Sequence, residues 1–416
     1  KQERGSQSGM PGHGLVLEDG LGIDEYRTGL SDCCSFTGTT VEKDEIRAMS
    51  KMETREYQIR FTTPAFLGNA EQQAQWRTPP FKALLRQWWR VAVAKQNQYD
   101  HLKIREMEGR LLGHAWLEND LNEKGKKVSA RKSLIQLRIF QWEKGNLSPT
   151  DWPTNGFENV VTTRDGRGRV RSDLYLGFGS VLPPSKKEHR ASISLTHQAI
   201  RENDEAKFSL RFPKEHAADL DRALRILSWF GSAGSRSRNG WGSIHMEGAN
   251  LEQLKSDSLD SVSRDLESCM EKDWPHTIGL DEEGVLIWLS QPVNGDWRKA
   301  MSLLAHEKVN IRRVAKEYTG PDKIGGVQLL GYPAGRAWEL RELKKDARLA
   351  SQIRFKVIDT PDGLRSMIFH MPARFPDELL GRLNKSQCNW IKQNELQVMQ
   401  AIHQYLDGNS KLSRLK

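Results

Sequence analysis

The chain has 416 residues, 37% of them hydrophobic, with 63 Lys and Arg against 54 Asp and Glu for a net charge of +9. At about 100 to 200 residues per domain, that length predicts two to four domains with real cores and excludes a disulfide-dependent miniprotein. No apolar run reaches the roughly 18 residues of a membrane-spanning helix, so a membrane partner is not expected.

Residues 1–14 are polar and glycine-rich with no apolar signal core, which reads as a cytoplasmic location. The four cysteines, Cys33, Cys34, Cys269 and Cys388, lack C-x-x-C spacing and read as reduced bystanders. Residues 1–52 carry a net charge of −3, which leaves +12 on the rest. A basic body suits a polyanionic partner, most often nucleic acid, although charge alone does not decide it. The first 52 residues are rich in Gly, Ser, Asp and Glu and read as a flexible extension.

Structure is predicted to start near Glu53, with residues 57–62 alternating as a half-buried strand. A helix follows, with Thr78 as its N-cap and Pro79 at the first helical position. Phe81, Leu84, Leu85, Trp88, Trp89 and Ala92 fall on one apolar face. Lys82, Arg86 and Arg90 line a second face, either as a solvated stripe or as a contact for a polyanion. Strands are predicted over 134–142 and 190–196. Between them Arg164, Arg167, Arg169 and Arg171 flank Gly166 and Gly168, a loop that clamps a phosphate backbone or is simply solvated. A strand over 207–212 and a helix over 216–230 precede an unusual run, Gly231-Ser232-Ala233-Gly234-Ser235-Arg236-Ser237-Arg238-Asn239-Gly240-Trp241-Gly242-Ser243. A strand over 244–247 completes a β-α-β-β-β-α-loop-β order, which fits a ferredoxin-like sheet with insertions.

The second region predicts a strand over 285–289, a helix over 297–318, a hairpin of 353–358 and 366–371, and helix over 377–406. That order suggests a second ferredoxin-like half. Residues 319–350 read as a long insertion.

No Walker loop, H-E-x-x-H or G-x-S-x-G occurs, and the glycines near Gly231 run from helix to strand, the reverse of a dinucleotide fingerprint. No cofactor and no metal are called for. His101, His114, His189 and His197 are candidate general bases for a metal-independent ribonuclease, though none has an obvious partner in sequence. Asp165 and Asp173 are candidate carboxylates for metal-dependent cleavage, though a lone loop carboxylate is usually solvated. Trp241, between two glycines, either stacks on a base or packs on its own sheet.

Residues 78–90, TPPFKALLRQWWR, and the glycine run 231–243 together resemble the RAMP proteins of type III CRISPR effectors, and within them subunit one of the type III-B (Cmr) complex. That family reads P-x-[IF]-K-G-L-L-R-x-W-W-R on its first helix and G-S-R-S-R-R-G-[FW]-G-S on its loop. The likeness covers about residues 53 to 380. Ala83 stands where the family has glycine, Asn239 where it has arginine, and 348–352 lacks an expected proline.

The resemblance implies an α+β chain of two ferredoxin-like (RRM-like) domains with insertions, 53–250 carrying the glycine-rich loop and 251–416 with a helical end. It implies a non-catalytic subunit of an antiviral ribonucleoprotein, bound to the crRNA 3′ region, the target RNA and other Cmr-type subunits. The expected RNA-binding residues are Lys82, Arg86, Arg90, Arg164, Arg167, Arg169, Gly234, Arg236, Arg238 and Trp241, with the helix stripe and the loop converging on one face. The alternatives are a RAMP endoribonuclease that processes CRISPR transcripts and a pure assembly scaffold.

Overall fold

Strand β1, Met52–Phe61, buries Tyr57, Ile59 and Phe61 and leaves Glu56 and Gln58 in solvent, the period of two that the sequence predicts. It opens a computed structural model that describes residues 52–71, 73–115, 117, 120–122, 124–162, 168–184, 193–249, 251–333, 340, 342–343 and 346–415. Residues 51–416 form one unit. The predicted extension lies outside the described residues except for Met52, as do Arg164, Asp165, Arg167 and His189.

Helix α1, Thr78–Ala94, buries Phe81, Leu85, Trp88, Trp89 and Ala92 as its spacing predicts. Its N-cap is Arg77 rather than Thr78, and prolines occupy the first turn, where a missing N–H costs nothing. The hydroxyl of Thr78 instead accepts from Ile139 N at 3.4 Å. β2 (Gln136–Ile139), β3 (Glu205–Pro213), α2 (Ala217–Phe230) and β4 (Ile244–Gly248) complete the first half. The sheet order is β2-β3-β1-β4, with every neighbour antiparallel. The strand predicted over 190–196 is not in this sheet: Ser194–Leu195 pairs with Val181–Leu182 in a separate ribbon.

The second half repeats the plan. β5 (Ile287–Ser290), α3 (Trp297–Glu317), β6 (Ile353–Thr360), β7 (Gly363–His370), α4 (Lys385–Asp407) and β8 (Leu412–Arg414) give a sheet of order β6-β7-β5-β8, again antiparallel throughout. Both halves therefore read β-α-β-β-α-β with the first and third strands central. α4 starts at a capping box in which Asn384 accepts from Gln387 N and Gln387 returns a bond to the cap, which breaks the single helix predicted over 377–406. β8 was not foreseen, because three residues are too short to show a period.

The halves dock edge to edge. Phe355 N donates to Arg238 O at 3.0 Å, Val357 N to Ser243 Oγ at 3.0 Å, and Thr62 Oγ1 to Val357 O at 2.8 Å. Arg60 and Asp359 form an ion pair beyond them. The Phe230 and Phe369 rings lie 4.9 Å apart, and the fully buried Lys356 donates to Ser228 O at 2.8 Å near the C-terminal end of α2, where the helix dipole favours a cation. The glycine-rich loop thus sits at the seam, bonded to the edge strand β6.

Candidate nucleic-acid interface

The loop holds its shape through backbone conformations that favour glycine. Gly234, Gly240 and Gly242 have φ of +96°, +91° and +60°. A Cβ on Gly234 would lie 2.7 Å from Phe66 O, and one on Gly242 would run into Ala233 O. Arg236 also adopts a left-handed φ of 59°, and its guanidinium lies over Gly179, in the space that a side chain there would fill. Asn239 is tied on both sides, donating to Leu176 O at 2.8 Å and accepting from Lys308 Nζ at 2.7 Å.

A groove of about 620 Å³ opens between this loop, α3 and the segments 327–333 and 348–355. Arg236, Arg238, Lys308, Arg312 and Arg348 line it, with Ile311, Leu330, Tyr332 and Phe355 among its apolar walls. Among the described residues that line it, none is acidic. Arg238 also reaches a smaller recess of about 160 Å³ shared with Leu84, Gln87 and Trp88 of α1 and with Arg354 of β6.

These cations are held against their own electrostatics. Burial, reinforced by the charges of Arg312 and Arg236, lowers the Lys308 ammonium to a pKa of about 7. Burial and the neighbouring Arg238 bring Arg354 down to about 9, and desolvation lowers Arg238 as well. Like charges gathered in a partly desolvated groove repel one another, and a polyanion relieves every such repulsion at once. Arginine forks and a lysine point charge are the usual partners of phosphate oxygens.

No family model matches this chain, and no curated protein matches it. Solved structures do. The chain is similar to Cmr1. The match to Cmr1 from Pyrococcus furiosus in its apo form has 16% identity over 82% of this chain and 96% of that one, with a TM-score of 0.39. A chain of the type III-B Cmr-beta complex bound to cognate target RNA matches at 12% identity over 84% of this chain and 100% of its own, with a TM-score of 0.40. A chain of a type IV-B CRISPR complex matches at 13% identity over 49% of this chain and 93% of its own, with a TM-score of 0.27.

Of the predicted contact residues, Gly234, Arg236 and Arg238 line the groove. Trp241 does not. Its ring is 0% exposed and packs among Phe66, Trp152 and Trp297 at centroid distances of 5.3, 5.6 and 5.8 Å, so it has no free face for a base. The packing alternative is the one realised, because Gly240 and Gly242 turn the ring inward.

The α1 stripe is also placed elsewhere. Arg86 and Arg90 both pair with Glu108 of the helix His101–Leu112, and Arg86 donates to Gly113 O at 2.9 Å. The α1 residues that share a recess with Arg238 are Leu84, Gln87 and Trp88. At ~100° per residue their centre is roughly 150° round the helix from that of Lys82, Arg86 and Arg90, so the expected convergence of stripe and loop does not occur. Arg169 is exposed on a ribbon of Asn159–Thr162 and Arg169–Arg171, outside the groove lining.

Two of the enzymatic candidates, Asp173 and His114, have structural employment. Asp173 is 0% exposed and accepts from Trp152 Nε1 at 3.0 Å and from Arg171. His114 bonds the buried Asp120 at 2.7 Å, which Arg131 grips with two further bonds. A histidine pair that the sequence did not suggest lies in the second half, His370 Nδ1 to His403 Nε2 at 2.9 Å, with both residues buried. A base sealed in that way meets no substrate.

Sequence reasoning missed Lys308, Arg312 and Arg348. The signal for the first two was available: Lys308, Arg312 and Lys316 recur every four residues on α3, the same pattern that drew notice on α1. Only the fold distinguishes the stripe that faces a groove from the one that faces Glu108.

Proposed function

We propose that this chain is an RNA-binding, non-catalytic subunit of a type III-B-like CRISPR effector, built from two ferredoxin-like halves and working beside other Cmr-type subunits on the crRNA 3′ region and bound target RNA. The carrying observation is the groove, where five cations and, among its described lining, no carboxylate meet at the glycine-rich loop. The effector assignment follows the two motifs at 78–90 and 231–243. The repeated β-α-β-β-α-β order, with the first and third strands central in each sheet, supports the ferredoxin-like reading.

Single-stranded RNA bound in this way has its phosphates on Arg236, Arg238, Lys308 and Arg312, a set that positions the strand without reading its bases. The test is a gel-shift titration of the full chain with labelled RNA at two salt concentrations, run beside a denaturing gel. A salt-sensitive shift with intact RNA is expected, and R236A/R238A should lower affinity at least about tenfold and flatten the salt slope by about two. Unchanged affinity in that variant defeats the site. Cleaved RNA defeats the non-catalytic role, and salt-sensitive protein association without RNA contact favours a scaffold.

A further inference from the structure

Two buried cations of β6 stand on the same face of the strand, two residues apart, and only one of them has an acceptor. Lys356 is 0% exposed and donates to Ser228 O at 2.8 Å. Arg354 is 6% exposed, and its Nε is buried without a partner. A guanidinium taken out of water with nothing to accept its protons is among the costliest arrangements a fold can hold. Native structures answer nearly all such donors, so this one marks a place where an acceptor comes from outside the chain.

Arg354 faces the recess of about 160 Å³ between β6, α1 and the glycine-rich loop. Arg238 reaches the same recess from the loop, close enough for its charge to disfavour that of Arg354. Ser232, Ser237 and Gln87 add hydroxyl and amide donors to the lining, and among the described residues that line it none is acidic. Trp88 lines it too, and its buried Nε1 likewise has no acceptor. The Phe230 and Phe369 rings, also in the lining, make the surroundings apolar, which strengthens any ion pair formed there.

Size and charge choose the ligand. The space holds about five waters by their share of liquid volume and falls short of the roughly 300 Å³ at which pockets begin to take drug-sized molecules, so it suits a small anion. Arginine forks match the oxygens of carboxylates and phosphates alike. A carboxylate or an internal phosphodiester, however, brings one negative charge to two guanidiniums. A phosphate monoester carries about −1.5 to −2 near neutral pH and offers three acceptor oxygens.

We propose that this recess is an oxyanion site for a phosphate dianion, gripped by Arg354 and Arg238, with Ser232, Ser237 and Gln87 donating to its remaining oxygens. The recess and the groove share Ser237, Arg238 and Phe355, so the anion is either free inorganic phosphate or the terminal phosphate of a strand lying in the groove. The second source rests on the reading of the chain as an RNA binder; the site itself does not.

The test is a thermal melt of the full chain in rising inorganic phosphate at constant ionic strength, with chloride as the matched control. Two variants accompany it. R354M removes the charge and keeps an unbranched apolar stem, so it sheds the cost of an unpaired buried cation and should fold. R238A removes a side chain that makes no hydrogen bond or ion pair among the described residues. Phosphate at about a hundredfold its Kd should raise the wild-type melting temperature by roughly 3 °C. R354M should melt at least as high as wild type in chloride and show no rise with phosphate, and R238A should need about tenfold more phosphate for the same rise. No phosphate-specific rise in wild type, or an undiminished one in either variant, overturns the site, even where the chain binds RNA through the groove.

Titrations with one RNA sequence ending in a 5′-phosphate, a 3′-phosphate or hydroxyls alone then distinguish the sources. About tenfold tighter binding of one phosphorylated form, lost in R354M and competed by inorganic phosphate, assigns the site to a strand end. Equal affinities beside a phosphate-dependent melt assign it to free phosphate. A phosphate-dependent melt in a chain that binds none of these RNAs upholds the site and defeats the RNA reading alone.

Discussion

Lys308 Nζ donates to Asn239 Oδ1 at 2.7 Å, joining α3 of the second half to the glycine-rich loop of the first. Asn239 stands where the resembled family has arginine, and here it must be an acceptor: a guanidinium would face the ammonium of Lys308 with Arg236 and Arg312 already near. Asn239 holds the lysine in the groove, and burial with the charges of Arg312 and Arg236 makes that charge sensitive to pH.

That sensitivity gives a signed prediction. With a pKa of about 7, Lys308 is charged below that pH and neutral above it. RNA affinity should fall as pH rises through about 7, and K308R, whose charge does not titrate there, should flatten the profile. Gel-shift titrations across that range check it, and a wild-type profile as flat as that of K308R would remove Lys308 from the site.

Trp241 should behave as core. Trp241→Ala is expected to cost about 3–5 kcal/mol of stability, since it empties the centre of a buried aromatic cluster. A thermal or denaturant melt measures this. A variant that melts like wild type but binds RNA poorly would restore the stacking role that the burial argues against.

Gly242→Ala forces a Cβ against Ala233 O at a φ of +60° and should cost about 3 kcal/mol, the upper end for a strained backbone position. Because the loop is the seam, both stability and RNA affinity should fall. Gly295, whose φ is also positive at +62° but whose Cβ would meet open space, is the control and should cost less when changed to Ala.

The His370–His403 pair predicts acid sensitivity. Burial holds both imidazoles neutral in the folded chain, His403 down to about 4 and His370 well below the ordinary 6.5, where the charges of His403 and Arg354 add to the effect of burial. The unfolded chain takes up these protons as pH falls below about 6.5 while the folded chain does not, so stability is full above that pH and is lost on the way down towards 4. Urea melts at stepped pH should show this slope, and it should be shallower in H403Q; identical slopes would exclude the pair as its source.

The α1 stripe supplies the last test. Lys82→Ala together with Arg90→Ala should leave RNA affinity within about twofold of wild type, far from the loss expected of R236A/R238A. An equal loss from both pairs would put the stripe back at the interface.

Local patterns determined most of the secondary structure. The i, i+3, i+4 spacing of Phe81, Leu84, Leu85 and Trp88 and the alternation over 57–62 and 353–358 are set by helix and strand geometry, and so were readable along the chain. The glycines of 231–243 marked a backbone that few other residues adopt, and Gly234, Gly240 and Gly242 do take positive φ there. What the loop meets could not be read, because contact between residues about 70 to 120 apart leaves no period in the sequence. Only the tertiary structure chose between two helices with the same basic repeat: packing set Arg86 and Arg90 against Glu108, while docking of the two sheets turned Lys308 and Arg312 towards the loop. The direction of Trp241 was decided in the same way, by three aromatic rings brought in from distant segments.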